Sequence, residues 1–207
     1  MRVVIFANGG LAQPVRVRQD DLIIAADGGA LHCLKLGLRP AYVIGDLDSL
    51  TPEAIDQLET MGAQIIEFPK RKDFTDLELA LQHARSFQPE DVLIYGALGA
   101  RWDQSAANLL LPAAYPELPI RLVDGQQEIF YIRAGASHSI EGSPGDTVSL
   151  VPLGGAAQGI TTHNLEYPLD DELLLFGSTR GVSNTLIESP AVVSLKMGLL
   201  LCIIIHH

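Results

Sequence analysis

Along the first part of the chain, short apolar runs alternate with stretches of helical periodicity. The runs Val3–Ala7, Leu22–Ala26, Tyr42–Ile44, Gln64–Phe68, Val92–Tyr95 and Ile120–Val123 predict strands. Between them, Ala30–Leu36, Pro52–Met61, Asp76–Ser86 and Asp103–Leu111 predict helices. The predicted strands are apolar at nearly every position rather than at every second one, the pattern of a parallel sheet covered on both faces. In such sheets ligands bind at the carboxyl ends of the strands. Asn8, Asp27, Asp46 and Gly96 each follow a predicted strand, so they are expected to converge there.

From about Gly125 the pattern changes. Ile129–Arg133, His138–Ile140, Thr147–Pro152, Gly159–Thr162, Leu173–Phe176, Ala191–Leu195 and Leu199–Ile205 read as strands with no long helix between them. Turn-forming stretches such as Gly142-Ser143-Pro144-Gly145-Asp146 and Gly154-Gly155 separate them. The expected organisation is an α/β domain with a parallel sheet over residues 1–124, followed by a smaller antiparallel β-sandwich domain over residues 125–207. No internal repeat or low-complexity segment interrupts this plan.

With 207 residues, 47% of them hydrophobic and 19% charged, the chain can bury a substantial core. Its net charge of −11 argues against nucleic acid as the main partner, because neutralising a phosphate backbone needs clustered Lys and Arg. A small cation or a metal nucleotide suits it better. Cys33 and Cys202 lie far apart in apolar contexts, which indicates buried thiols rather than a disulfide framework or thiolate metal site. The N-terminal run Met1–Asn8, interrupted by Gly9-Gly10, is too short for a signal peptide, and the C-terminal run Leu199–Ile205 is too short for a membrane span. A cytoplasmic protein without membrane association is therefore expected. His206 and His207 are given no function.

Three acidic clusters carry the candidate chemistry. In Gly45-Asp46-Leu47-Asp48-Ser49, extended geometry at the end of the preceding strand sends Asp46 and Asp48 to the same side. Adjacent carboxylates repel unless a cation or shared proton neutralises them, and Mg²⁺ held by a few carboxylates usually accompanies a phosphate. An acidic surface turn is the competing reading. In Lys72-Asp73-Phe74-Thr75-Asp76-Leu77-Glu78, Thr75 and Glu78 fit a capping box, which does not account for Asp73 and Asp76. In Gly96-Ala97-Leu98-Gly99-Ala100-Arg101-Trp102-Asp103-Gln104, glycines allow close approach to a phosphate and Arg101 can fork onto its oxygens, while Asp103 could simply cap the helix. The turns Asn8-Gly9-Gly10 and Asp27-Gly28-Gly29 complete neither a dinucleotide fingerprint nor a P-loop. Together the clusters point to metal-assisted phosphoryl-type transfer.

Taken in order, Asp27-Gly28-Gly29, Gly45-Asp46-Leu47-Asp48-Ser49, Lys72-Asp73-Phe74-Thr75-Asp76-Leu77-Glu78, Gly96-x-x-Gly99-x-Arg101-x-Asp103 and Gly181-Val182-Ser183-Asn184 resemble the thiamine pyrophosphokinase family. The chain departs from the family pattern at Gln104, where many bacterial members carry His, and at Asn164-Leu165-Glu166-Tyr167, where Gly-Leu-Lys-Tyr/Trp is common. The resemblance implies an α/β nucleotide-binding domain, a β-sandwich that binds thiamine, and a homodimer. It implies transfer of pyrophosphate from ATP to the thiamine hydroxyl, giving thiamine diphosphate and AMP.

On that mechanism Asp46, Asp48, Asp76 and Asp103 are assigned to one or two Mg²⁺ ions, with Asp73 an additional catalytic carboxylate. Arg101 and Lys72 are assigned to phosphate oxygens and Thr75 to a hydroxyl contact. Asn8, Gly9, Asp27, Gly28, Gly29, Gly96 and Gly99 are assigned to the turns that bed ATP. Ser183 and Asn184 are expected to line the thiamine site across the dimer interface, with Tyr167 or Trp102 as possible ring platforms. The alternatives are a pterin-alcohol pyrophosphokinase of the same fold and a non-catalytic nucleotide-sensing module. Which group accepts the hydroxyl proton stays open.

Overall fold

The computed structural model describes residues 1–207, which divide into two compact units, Met1–Gly125 and Gln126–His207. The first contains strands β1 (Arg2–Phe6) and β2 (Leu22–Ala26), helix α1 (Gly29–Leu36), β3 (Tyr42–Gly45), α2 (Pro52–Thr60), β4 (Gln64–Glu67), α3 (Asp76–Arg85), β5 (Asp91–Tyr95), α4 (Trp102–Leu110) and β6 (Ile120–Asp124). The six strands run parallel in the order β6-β5-β1-β2-β3-β4. Burial explains the apolar runs of the inner strands: Val3, Val4, Ile5 and Phe6 of β1 are all inaccessible, as are Ile24 and Ala25 of β2.

The chain winds outward from β1 through β2, β3 and β4, then returns to place β5 on the other side of β1. The sheet therefore has a topological switch point between β1 and β5. No helix covers the β1-to-β2 connection. The Arg2 guanidinium holds both carboxylate oxygens of Asp21 at 2.8 and 2.6 Å, and the Arg16 N–H donates to the Tyr95 hydroxyl at 3.1 Å. The ion pair anchors the end of this irregular segment, and the Tyr95 hydroxyl gives one of its backbone N–H groups a partner.

The second unit contains β7 (Gln127–Arg133), β8 (Ser137–Ile140), β9 (Thr147–Pro152), β10 (Ala157–His163), β11 (Glu172–Leu174), β12 (Asn184–Thr185), β13 (Ala191–Ser194) and β14 (Leu199–Ile205). Antiparallel pairing builds one layer from β12, β9, β14 and β7 and another from β11, β10, β13 and β8. Ile132, Val148, Leu150, Leu200, Cys202 and Ile204 from the first layer share a core with Ile140, Ile160, Leu174 and Val193 from the second. β14 is apolar throughout because it is the central strand of its layer, with Leu201 also buried on the face opposite this core. The two-residue β12 is too short to show a period in sequence.

Asp146 ties the turn before β9 to the end of β14. Its carboxylate accepts from the Ser143 N–H at 2.9 Å, His206 Nδ1 at 2.8 Å and the His207 N–H at 3.1 Å. Burial disfavours its charge, but these donors outweigh that effect and hold its pKa below the usual 3.8. A carboxyl whose folded pKa is depressed adds stability above its unfolded pKa and loses it as pH falls through the folded value. Asp146→Asn should therefore cost about 1 kcal/mol in urea unfolding at pH 7. The difference from wild type should narrow as pH falls below the carboxylate range; a pH-independent difference would contradict this account.

Candidate active site

A cleft of about 660 Å³ opens at the carboxyl ends of the parallel strands of the first unit. It is lined by Asn8, Gly9 and Gly10 after β1, Asp27 after β2, and Asp46, Asp48 and Ser49 after β3. Lys70, Lys72, Thr75 and Asp76 come from the β4–α3 connection, and Gly99, Arg101, Ser105 and Asn108 from the β5–α4 region. At the switch point, the Gly9 N–H donates to the Gly96 carbonyl and the Gly10 N–H to the Leu98 carbonyl, each at 2.7 Å. A side chain at position 9 would collide with both carbonyls, so glycine is what lets the loops join. Gly28 likewise leaves room for the Asn8 amide, and Gly29 lets α1 close against Phe6.

Three carboxylates meet on the floor of the cleft: Asp27, Asp46 and Asp76 each offer an oxygen within 4.8 Å of the others. Asp27 is only 5% exposed and has left-handed backbone with φ 44°. Its Oδ2 accepts from Ser49 Oγ and, at 3.3 Å, from Asn8 Nδ2, while its buried Oδ1 has no hydrogen-bond partner. Lys72 Nζ lies 3.1 Å from Asp46 Oδ2 and 2.9 Å from Asp76 Oδ1.

The Lys72 hydrogen bond holds Asp46 below the usual carboxylate range. Burial pushes Asp76 above that range, and the charges of Asp46 and Asp27 push the same way against the opposing effect of Lys72. Burial also works against the Lys72 charge, but Asp76 and Asp46 raise its pKa overall. One ammonium thus shares two carboxylates while a third retains an unsatisfied oxygen. Such an acceptor-only set of hard oxygens suits a hard divalent cation.

The other acidic candidates are arranged differently. Leu47 has left-handed backbone with φ 60°, which interrupts strand alternation after Gly45. Asp48 pairs with Lys70 at 2.6 Å, and Asp103, in the first turn of α4, pairs with Arg101 at 2.6 Å. Asp73 is exposed and does not line the cleft. Thr75 caps α3 by accepting from the Glu78 N–H at 3.2 Å, while Glu78 accepts from the Tyr115 hydroxyl at 3.2 Å. Trp102 is 84% exposed.

In the second unit, the Ser183 N–H donates to Ser149 Oγ at 3.0 Å. Asn184 clamps the Tyr167 backbone: its Oδ1 accepts from the Tyr167 N–H at 3.0 Å and its Nδ2 donates to the Tyr167 carbonyl at 2.7 Å. The Tyr167 side chain is largely exposed.

Comparison with protein-family models matches residues 15–122 to the thiamin pyrophosphokinase catalytic domain and residues 137–200 to the thiamin pyrophosphokinase vitamin B1 binding domain. The chain belongs to the thiamine pyrophosphokinase family. It is 31% identical to the thiamine pyrophosphokinase of Bacillus subtilis over 184 residues, covering 88% of this chain and 86% of that protein. It is 26% identical to thiamine pyrophosphokinase 1 of Oryza sativa over 196 residues, covering 90% of this chain and 73% of the relative. The crystal structure of the Bacillus subtilis enzyme superposes with a TM-score of 0.90 at 29% identity, covering 100% of this chain and 99% of that one. A family structure from Enterococcus faecalis gives 0.86 at 30% identity and 99% coverage of both chains.

Two residues that sequence reading passed over brace this thiamine pyrophosphokinase cleft from α4. Ser105 Oγ lies within hydrogen-bonding distance of both the Gly99 N–H and its carbonyl, at 3.0 and 3.1 Å, while Asn108 Nδ2 donates to the Ala97 carbonyl at 2.8 Å. Their helical spacing of three was the available signal, placing both on one face of α4.

The crowded Asp76 carboxylate also opposes stability. A carboxyl with a raised folded pKa loses stability as pH rises from its unfolded pKa through the folded one. Asp76→Asn should therefore melt at or above the wild-type temperature at pH 7, with the advantage shrinking toward pH 3.8. Turnover should fall by about 100-fold or more. A lower melting temperature at pH 7 would identify Asp76 as a net structural anchor instead.

Proposed function

We propose that this protein transfers the pyrophosphoryl group of ATP to the hydroxyl of thiamine, releasing AMP, with Mg²⁺ held by Asp27, Asp46 and Asp76. The observation carrying this reading is the convergence of three carboxylates beside a glycine-lined cleft, one with a buried oxygen lacking a partner. Mg²⁺ would neutralise the charge developing on the phosphate oxygens. Lys70, Lys72 and Arg101 line the same cleft and supply further cations for the triphosphate. Asp48 and Asp103 serve as additional ligands after exchanging their exposed ion pairs with Lys70 and Arg101, which solvent screens. The Gly9–Gly10 and Gly99 turns allow close backbone approach to ATP.

Thiamine is a cation with two aromatic rings, and we assign it to the Ser183-Asn184 segment with Tyr167 as platform. Asn184 supports this assignment by fixing the backbone of a largely exposed aromatic residue. A homodimer is the proposed working form. Tyr167, Leu175, Phe176, Ile187 and Met197 are each more than half exposed in the second unit, an apolar surface that a symmetric partner would cover. No helix is long and apolar enough to cross a membrane, and Cys33 and Cys202 are buried free thiols. The cytoplasm is the proposed compartment.

Incubation with ATP, thiamine and Mg²⁺ should yield AMP in proportion to thiamine diphosphate. ADP as product, or equal nucleotide turnover without thiamine, would overturn the proposed reaction. Asn184→Ala should raise the KM for thiamine by about tenfold, the loss expected from about 1.4 kcal/mol of binding, and barely change that for ATP. Equal changes in both constants would remove Asn184 from the thiamine site.

A further inference from the structure

The metal-binding reading leaves unexplained why Asp27 presents one oxygen without a partner while the other is fully engaged. Asp27 Oδ2 receives Ser49 Oγ and Asn8 Nδ2, and the same Asn8 nitrogen also donates to Ser49 Oγ at 3.0 Å. Ser49 has one hydroxyl proton, so it donates to Asp27 while a lone pair accepts from Asn8. Gly28 completes this arrangement: a Cβ there would strike Cγ, Oδ1 and Nδ2 of Asn8, although Gly28 itself has an ordinary right-handed backbone.

From this geometry we infer that Ser49 is a positioning residue for metal binding: supported by Asn8, it fixes Oδ2 of Asp27 so that the buried Oδ1 faces the cation shared with Asp46 and Asp76. The inference rests on the proposed metal site and assigns Ser49 a separate role within it. Without the Ser49 donor, Oδ2 keeps only the longer Asn8 contact at 3.3 Å, a weaker restraint on rotation of the carboxylate. Because Asp27 leaves β2 in a left-handed turn, backbone continuation of the strand does not set the direction of its side chain. The Asp27 N–H donates to the Ile44 carbonyl at 2.8 Å, which holds the backbone, and the side-chain network sets the carboxylate. Outer donors to metal-binding groups commonly change metal affinity by about 10- to 100-fold.

The test is Mn²⁺ binding to the full-length, nucleotide-free protein, read by electron paramagnetic resonance of free Mn²⁺ alongside a thermal melt without metal. Ser49→Ala should weaken Mn²⁺ binding by about 10- to 100-fold, with cooperative melting retained. Ser49→Thr, which keeps the hydroxyl, should recover most of the affinity. Gly28→Ala, which displaces the Asn8 amide without touching a carboxylate, should weaken binding in the same direction. Asp27→Asn and Asp46→Asn separate the two levels of inference. If they reduce Mn²⁺ binding but Ser49→Ala binds like wild type, the positioning role is wrong and the metal site stands. If neither reduces binding, both are wrong. Equal losses for Ser49→Ala and Ser49→Thr would also overturn the role, because the hydroxyl would not be what matters.

Discussion

Mutual repulsion among Asp27, Asp46 and Asp76 is the constraint around which the catalytic unit is organised. Separate elements bring their oxygens within 4.8 Å, and a single shared ammonium from Lys72 cannot satisfy all three. Burial and the charges of Asp46 and Asp27 push the Asp76 carboxyl above its usual range, which opposes folding at neutral pH unless a cation compensates. The scaffold tolerates the cluster because the parallel sheet beneath it is deeply buried and the loops above it are joined by backbone hydrogen bonds at the switch point. A similar tension recurs in the backbone, where Asp27 and Leu47 adopt left-handed conformations at the edge of the cleft. Local stability is set aside where the cleft concentrates negative charge.

The second unit solves a different problem. Its small core is shared between two antiparallel layers, and its central strand β14 is apolar at every position. The Asp146 network secures the end of that strand, while the Asn184 clamp fixes Tyr167 with both polar ends of one amide. An amide so fully engaged with backbone fixes the position of its neighbour.

Much of the fold was legible because buried parallel strands have continuous apolar sequences and the helices begin with recognisable signals such as Thr75. β2, β9 and β14 occupy the residues expected from their hydrophobic runs. The candidate site was harder to read. Asp46 and Asp76 were visible as acids beside element ends, but Asp27 looked like part of a glycine turn because its left-handed backbone has no simple sequence period. The spacing of Asp46 and Asp48 predicts both on one side of an extended strand; the strand instead ends at Gly45, and the left-handed Leu47 breaks the alternation that the spacing assumes. Ser49 acts through hydrogen bonds to Asp27 and Asn8, 22 and 41 residues away, a relationship that polarity and spacing alone do not reveal, whereas Ser105 and Asn108 left only their spacing of three as a signal.

The most direct test of the account is the position of a bound divalent ion. Crystals grown with Mn²⁺ and a non-hydrolysable ATP analogue should show an anomalous-scattering peak about 2.1 Å from oxygens of Asp27, Asp46 and Asp76, with Mn²⁺ standing in for octahedral Mg²⁺. A peak held only by Asp48 and Asp103, or nucleotide bound with no ion among the three carboxylates, would contradict the account.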